Sequence, residues 1–193
     1  MGIKERRQRE IETLKASILK ATRSLAIELG WEKVSIRKIS DRIEYTPPVI
    51  YEHFENKEAI LIELEVMGFR NLKYVMDDAR QTVSDPLGQM KAVSAAFWDW
   101  AFQHAELYQV MFNLEGVKAH PASRQSLKEC SQSVIEILRS GQLFSTDTDE
   151  LFFHWWSIMH GHVSLVQSGQ VAGVNNLMRR SVLAAVERLM KSL

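Results

Sequence analysis

The chain has 193 residues, 46% of them hydrophobic and 25% charged, enough for one large domain or for a small and a medium one, and too apolar for a disordered chain. Its 24 Lys and Arg balance 24 Asp and Glu, so composition alone announces no polyanion binder. A single cysteine, Cys130, excludes an intrachain disulfide; no run of about 18 apolar residues suits a membrane span, and charges interrupt the first residues where a signal-peptide core would sit, so a soluble, cytoplasmic protein is expected.

Almost every segment carries a helical period, and none shows strand alternation or an Asn-Gly hairpin signal, so the fold is expected to be all-α with about nine helices. Lys4, Arg6, Arg7 and Arg9 crowd ahead of the first helix, as an arm that reaches for phosphates would. Residues 1 to 57 hold 12 Lys or Arg against 9 Asp or Glu, leaving 12 against 15 for the rest, an asymmetry that fits such an arm or an ordinary fluctuation. Ile11, Leu14, Ile18, Ala21, Leu25 and Leu29 then advance by three or four residues, and Gly30 follows as a C-cap.

Residues 35 to 57 read as helix, tight turn, short helix and the start of a third helix. Ser35 is an N-cap residue, and Ile36, Ile39 and Ile43 form an apolar stripe that leaves Arg37, Lys38 and Arg42 outside it. Thr46 is placed to cap the next helix, with Pro47 and Pro48 in the first turn, where their missing N–H groups have no intrahelical acceptor. Ile50 and Phe54 pack inward, which turns Pro47, Pro48, Val49, Tyr51, Glu52 and His53 in varying degree toward a surface that a DNA groove can meet. Tyr51, His53 and Lys57 offer a phenol, an imidazole N–H and an ammonium to phosphate oxygens, with Ser35 and Thr46 at helix starts beside them and Arg37 or Lys38 adding charge at the groove edge. Base reading falls to Pro47, Val49 and Glu52: apolar contact with thymine methyls for the first two, and for Glu52 either a cytosine amine or plain solvent.

Asn56 caps a helix from about Lys57 to Val83 that continues into the rest of the chain without a Pro, Gly or Ser-rich linker, so a DNA-binding domain over 1–56 and a second domain over 57–193 are expected. Asp85-Pro86 opens a helix to about His104, Glu106 to Phe112 is a short helix, and Gly116, His120 and Pro121 mark a loop. Helices follow from Pro121 to Ser140, from about Asp149 to Gln167 and from Val174 to Lys191.

The second domain is rich in rings: Phe97, Trp98, Trp100, Phe102, Tyr108, Phe112, Phe152, Phe153, Trp155 and Trp156, with Met111 and Met159 among them. Each ring taken singly is core, yet together they suit a pocket for an apolar ligand, with Trp98, Tyr108, Trp156 and His160 as polar handles. His154, His160 and His162 do not share one helical face, so no metal site is expected, and no nucleophile-base pair, phosphate loop or paired carboxylate supports an enzyme or a cofactor.

The helix ending at Gly30, the apolar run Val34, Ile36 and Ile39, the pattern Tyr51-x-His53-Phe54 and Lys57 three residues beyond resemble the TetR family of bacterial transcriptional regulators. Two positions depart from that pattern: Glu44 stands where glycine is usual, implying a tolerated left-handed residue or an altered turn, and Tyr45 replaces a small aliphatic. Ala105-Glu106-Leu107-Tyr108-x-x-Met111-Phe112 and Trp156-x-x-x-His160-Gly161 are similar to the subgroup named for a Trp-His-Gly signature. The resemblance implies a homodimer built on the last two helices, through a stripe of Val174, Leu177, Met178, Val182, Ala185 and Leu189, that binds a palindromic double-stranded operator. A ligand-responsive repressor is expected, and the rings and methionines suit release by a small apolar or aromatic effector bound among Trp98, Phe102, Tyr108, Met111, Phe112, Trp155, Trp156, Met159 and His160; an activator, or a regulator answering to a protein partner, is the alternative.

Overall fold

The computed structural model describes residues 2–112, 120–141, 147–171 and 173–191; Gly116 lies outside them. Among these residues the chain forms nine α-helices and no strand: α1 (Ile3–Leu29), α2 (Ile36–Arg42), α3 (Pro47–Tyr51), α4 (Lys57–Gln81), α5 (Pro86–Gln103), α6 (Ala105–Phe112), α7 (Pro121–Ser140), α8 (Thr148–Gln167) and α9 (Asn175–Lys191), with a 3-10 turn at Trp31–Lys33. The basic residues at the start are helical, so the free arm expected there is instead the first two turns of α1. Glu5 accepts a 3.1 Å hydrogen bond from the Gly2 N–H at that end, and Arg6 pairs with Glu10 four residues on, both of which favour helix there.

Helix boundaries follow individual caps. Asp85 accepts from the Gly88 N–H at 2.7 Å, Asn56 from the Ala59 N–H at 2.9 Å and Asp147 from the Asp149 N–H at 2.9 Å, each satisfying an otherwise orphaned donor. A Cβ at Gly88 would sit 2.4 Å from the Val83 side chain and 2.6 Å from the Asp85 carboxylate, so any larger residue must displace the cap.

The contacts divide into two compact units. The first comprises residues 1–65 and 106–120, the second residues 66–105 and 121–193. In the first, α1 packs on α2 and on the 3-10 turn, α2 packs on α3, and the core is Ile18, Leu25, Trp31, Ile39, Ile50, Ile60 and Leu64 with Leu107, Tyr108 and Val110 of α6. In the second, α5, α7, α8 and α9 pack on one another around Phe97, Trp98, Val134, Trp155, Met159, Val163, Val182 and Val186.

Helix α9 corrects part of the expected dimer stripe. Val182 is fully buried within its own subunit, while Leu177 stays 53% exposed. The reason is geometric: α9 turns the Val182 and Val186 side against α5 and α8, and Leu177, on nearly the opposite side of the helix, faces outward, so the whole stripe is not available to a partner. No helix among the described residues is long and apolar enough to cross a membrane.

Candidate nucleic-acid interface

Helix α2 begins where the sequence places it. The Ser35 hydroxyl accepts from the Lys38 N–H at 3.4 Å, with Ser35 itself in extended backbone. Its end is a Schellman turn: Tyr45 N–H reaches the Ser40 carbonyl at 3.0 Å, Glu44 N–H reaches the Asp41 carbonyl at 3.3 Å, and Glu44 lies in the left-handed region at φ 60°. Glu44 is the only non-glycine with positive φ among the described residues, so the glycine position of the resembled family keeps its conformation here without its glycine. Ser40, buried, returns its hydroxyl to the Arg37 carbonyl at 2.8 Å.

Thr46 occupies the N-cap position of α3 but its hydroxyl makes no cap bond, which corrects the expected capping role. An N-cap oxygen accepts from the second or third helical N–H. Pro48 has none, and the Val49 N–H is already taken by the Thr46 carbonyl at 3.0 Å. Helix α3 is therefore fixed by its proline torsions and by buried Ile50, at 0% exposure, with Phe54, at 7%, buried just beyond its end. Opposite lie exposed Pro48, Tyr51 and Glu52, with Pro47, Val49 and His53 half-buried. Tyr51 is 54% exposed, a free phenol on the outer face of α3.

Of three basic side chains expected near a phosphate backbone, two have defined anchors. Arg37 is exposed on α2; Lys38 Nζ donates to the Lys33 carbonyl at 2.9 Å; Lys57 Nζ, half-buried, donates to the Trp31 carbonyl at 3.3 Å. Burial holds the Lys57 ammonium below the ordinary lysine value. Arg42 is committed elsewhere, in a two-bond fork with Glu28 at 2.8 and 2.7 Å. That hydrogen bonding lowers the Glu28 carboxyl and raises the Arg42 guanidinium from their usual values.

An open cleft of about 1290 Å³ runs between the first half of α1 and the α2–α3 segment. Arg6, Arg7, Arg9 and Lys15 line one side, and Ile43, Tyr45, Glu52 and His53 the other. Lys15 also stands 5.7 Å from the centre of the Phe54 ring, a cation–π contact. The sequence reading missed this wall because it started the helix near residue 9. Begun at Ile3, the helix puts Arg6, Arg9 and Glu10, Thr13 and Ser17 on one face by their spacing of three and four.

The expected effector residues fall in both units. In the second, Trp98, Trp155 and Met159 are buried, and Phe102, Trp156 and His160 are half-buried. Phe97 meets Trp155 and Trp156 edge-on at 5.7 and 6.0 Å between ring centres, and the Trp155 indole N–H donates to Ser94 at 2.8 Å. His160 lies parallel to Trp156 at 6.4 Å, and burial lowers its imidazole from the usual value. Tyr108, Met111 and Phe112 belong to the first unit, where Tyr108 is fully buried and 4.8 Å from Phe112. His154 is exposed beside Glu150, and His162 Nδ1 is 2.8 Å from the Ile158 carbonyl; no group of three metal-ligating side chains exists among the described residues.

Residues 90–193, more than half of the chain, match the family described as tetracyclin repressor-like, C-terminal domain, and residues 18–64 match the family described as bacterial regulatory proteins, tetR family. The HTH-type transcriptional activator FasR of Mycolicibacterium smegmatis is 21% identical over 127 residues, which are 64% of this chain and 58% of that protein, so the chain spans less than two thirds of that relative. A Rhodococcus sp. RHA1 protein of unknown function superposes with a TM-score of 0.81 at 20% identity, over 93% of this chain and 95% of its own. The fatty acid degradation regulator FadR of Bacillus halodurans superposes with a TM-score of 0.74 at 16% identity, over 89% and 97%. At such identities the two structures speak for the fold alone. The two matched segments, set beside a capped helix-turn-helix and an all-helical second unit, make this chain a member of the tetR family of bacterial regulatory proteins.

Proposed function

We propose that the chain acts in the cytoplasm as a homodimeric repressor released from a palindromic operator by a small apolar or aromatic effector. Residues 1–56 serve DNA binding, and residues 57–193 serve effector binding and dimerisation. The observation that carries this reading is the outer face of α3, where Tyr51 stands 54% exposed beyond a turn closed by the Tyr45 and Glu44 N–H bonds with Glu44 in the left-handed region. Pro47, Val49 and Glu52 meet base edges; Ser35, Arg37, Lys38, Thr46, Pro48, Tyr51, His53 and Lys57 meet the backbone. Exposed Phe153, Leu165 and Leu177 on α8 and α9 are the apolar surface offered to a second copy, which sets two α3 helices roughly 34–36 Å apart.

The effector lies against the half-buried Trp156–His160 stack and its neighbouring rings. To weaken operator binding a hundredfold it must favour the non-binding state by about 2.7 kcal/mol, and operator DNA must weaken effector binding by the same factor. An activator is the second reading, because that is what the curated relative is named.

Selecting bound duplexes from a random pool tests the function. The expected product is a palindrome, and Tyr51→Phe with Lys57→Ala should weaken binding to every sequence, with Lys57→Ala lowering the salt slope by about one. Failure to select any sequence, or unchanged binding by the double variant, would overturn the reading. Transcription from the selected site, with and without protein, separates repression from activation.

A further inference from the structure

Two lysines on different helices, Lys38 of α2 and Lys57 of α4, place their ammonium groups on the same short piece of backbone. Lys38 Nζ donates to the Lys33 carbonyl at 2.9 Å and Lys57 Nζ to the Trp31 carbonyl at 3.3 Å, so the 3-10 turn Trp31–Lys33 is a shared platform for both charges. An ammonium has three donors, and one bond to a carbonyl leaves two for phosphate oxygens while fixing where the charge sits.

The platform is itself fastened at one point. Trp31 is 5% exposed, and its indole N–H donates to the backbone carbonyl of Glu106, in the first turn of α6, at 3.1 Å. The carboxylate of Glu106, 8% exposed, receives Arg23 Nε at 3.0 Å and Nη2 at 2.6 Å, which locks that first turn onto α1. A carboxylate so buried has to be paired, so the lock is strong in one direction: removing Arg23 strands a charge. All of these residues lie within the first unit.

We propose that Trp31 is the positioning residue for the two phosphate-binding lysines, and that its indole bond to Glu106 sets the height of the 3-10 platform from which both ammonium groups reach the operator. The proposal rests on the reading that Lys38 and Lys57 grip phosphates. It adds that their grip is dictated by a residue that touches no DNA.

The test is a mutant cycle read by fluorescence anisotropy on a duplex selected by the wild-type full chain, measured over a salt series. The variants are Trp31→Phe, which keeps the ring's bulk and deletes the donor; Lys38→Ala with Lys57→Ala; and all three changes together. Trp31→Phe should weaken binding about threefold to tenfold, in keeping with one lost hydrogen bond, and flatten the salt slope by about 0.9 to 1.8, the equivalent of one or two lost phosphate contacts. In the background lacking both lysines the same substitution should change affinity less than twofold. A purely structural role for Trp31 would weaken binding by the same factor in both backgrounds and leave the slope alone, and that result would overturn the proposal. Should Trp31→Phe not fold, Arg23→Lys, which keeps a positive charge opposite Glu106 and gives up the two-bond hold on it, enters the same cycle in its place. If the wild-type chain binds no duplex, the proposed function falls and this role with it; if it binds and the cycle is additive, only this role falls.

Discussion

The first unit holds helices of five and seven residues in place with a few individual groups, whereas the second holds helices of 17 to 20 residues around buried side chains rich in rings. A helix as short as α3 is unstable alone, so its placement depends on a few identifiable groups: two prolines, a left-handed residue and one buried isoleucine. A helix as long as α8 tolerates the loss of any one polar contact but not the loss of a ring that several neighbours pack against. The difference teaches where each unit is vulnerable, and a substitution ladder can break or sharpen it.

The largest effect is expected at Trp155→Ala. Trp155 is 1% exposed, lies edge-on to Phe97, and donates its indole N–H to Ser94, so truncation leaves a cavity and removes a buried hydrogen bond, while the Ser94 hydroxyl keeps its own bond to the Met90 carbonyl. Chemical denaturation should show a loss of about 3–5 kcal/mol. A loss under about 1 kcal/mol would mean that the second unit is not held by its rings.

Caps come next, and they separate two residues that look alike in the sequence. Ser35→Ala should cost about 0.5–1 kcal/mol, because the Lys38 N–H loses its acceptor. Thr46→Ala should cost only a few tenths of that, because no N–H is available to its hydroxyl. Equal losses for the two would show that Thr46 caps α3 after all. These effects are measured as stability; DNA affinity is a separate readout for both positions.

The contrast also explains what could be read from the residues beforehand. Helix order, the Ser35 cap, the proline start of α3 and the inward pair Ile50 and Phe54 follow from local rules of spacing and torsion, and the chain obeys them. What escaped were matters of partners distant in sequence: that α6 joins the first unit, that the Trp31 carbonyl takes Lys57, and that Val182 is used inside its own subunit. No periodicity encodes which surface an apolar stripe will find. The second unit's rings illustrate the same limit, since core and pocket ask for the same residues and Trp98 and Trp156 differ only in depth.

Glu44 supplies a smaller test of the polar side of the comparison. Its φ of 60° carries the left-handed penalty of about 1–2 kcal/mol, and glycine would remove it while adding about 0.4–1 kcal/mol of freedom to the unfolded chain. Glu44→Gly should therefore raise the denaturation midpoint by an amount equivalent to about 0.5 kcal/mol. A destabilised variant would mean that the Glu44 side chain makes a contribution larger than the strain it imposes.

The smallest effect belongs to His160 and concerns pH. Burial against Trp156 lowers its imidazole below the usual value of about 6.5, so the unfolded chain takes up a proton more readily than the folded one. Above about pH 7 both forms are neutral and the residue contributes nothing to the pH dependence. As pH falls through 6.5 and on through the lower folded value, protonation favours the unfolded state and stability declines. His160→Phe keeps a flat ring on Trp156 and removes the titration, so its denaturation midpoint should fall less than that of the wild type between pH 7.5 and 5.5. Parallel curves for the two proteins would show that His160 does not carry the acid sensitivity of this range; Asp77, whose carboxyl Lys73 and Ser133 hold below the usual value in spite of burial, loses its contribution only at pH below the ordinary carboxylate range.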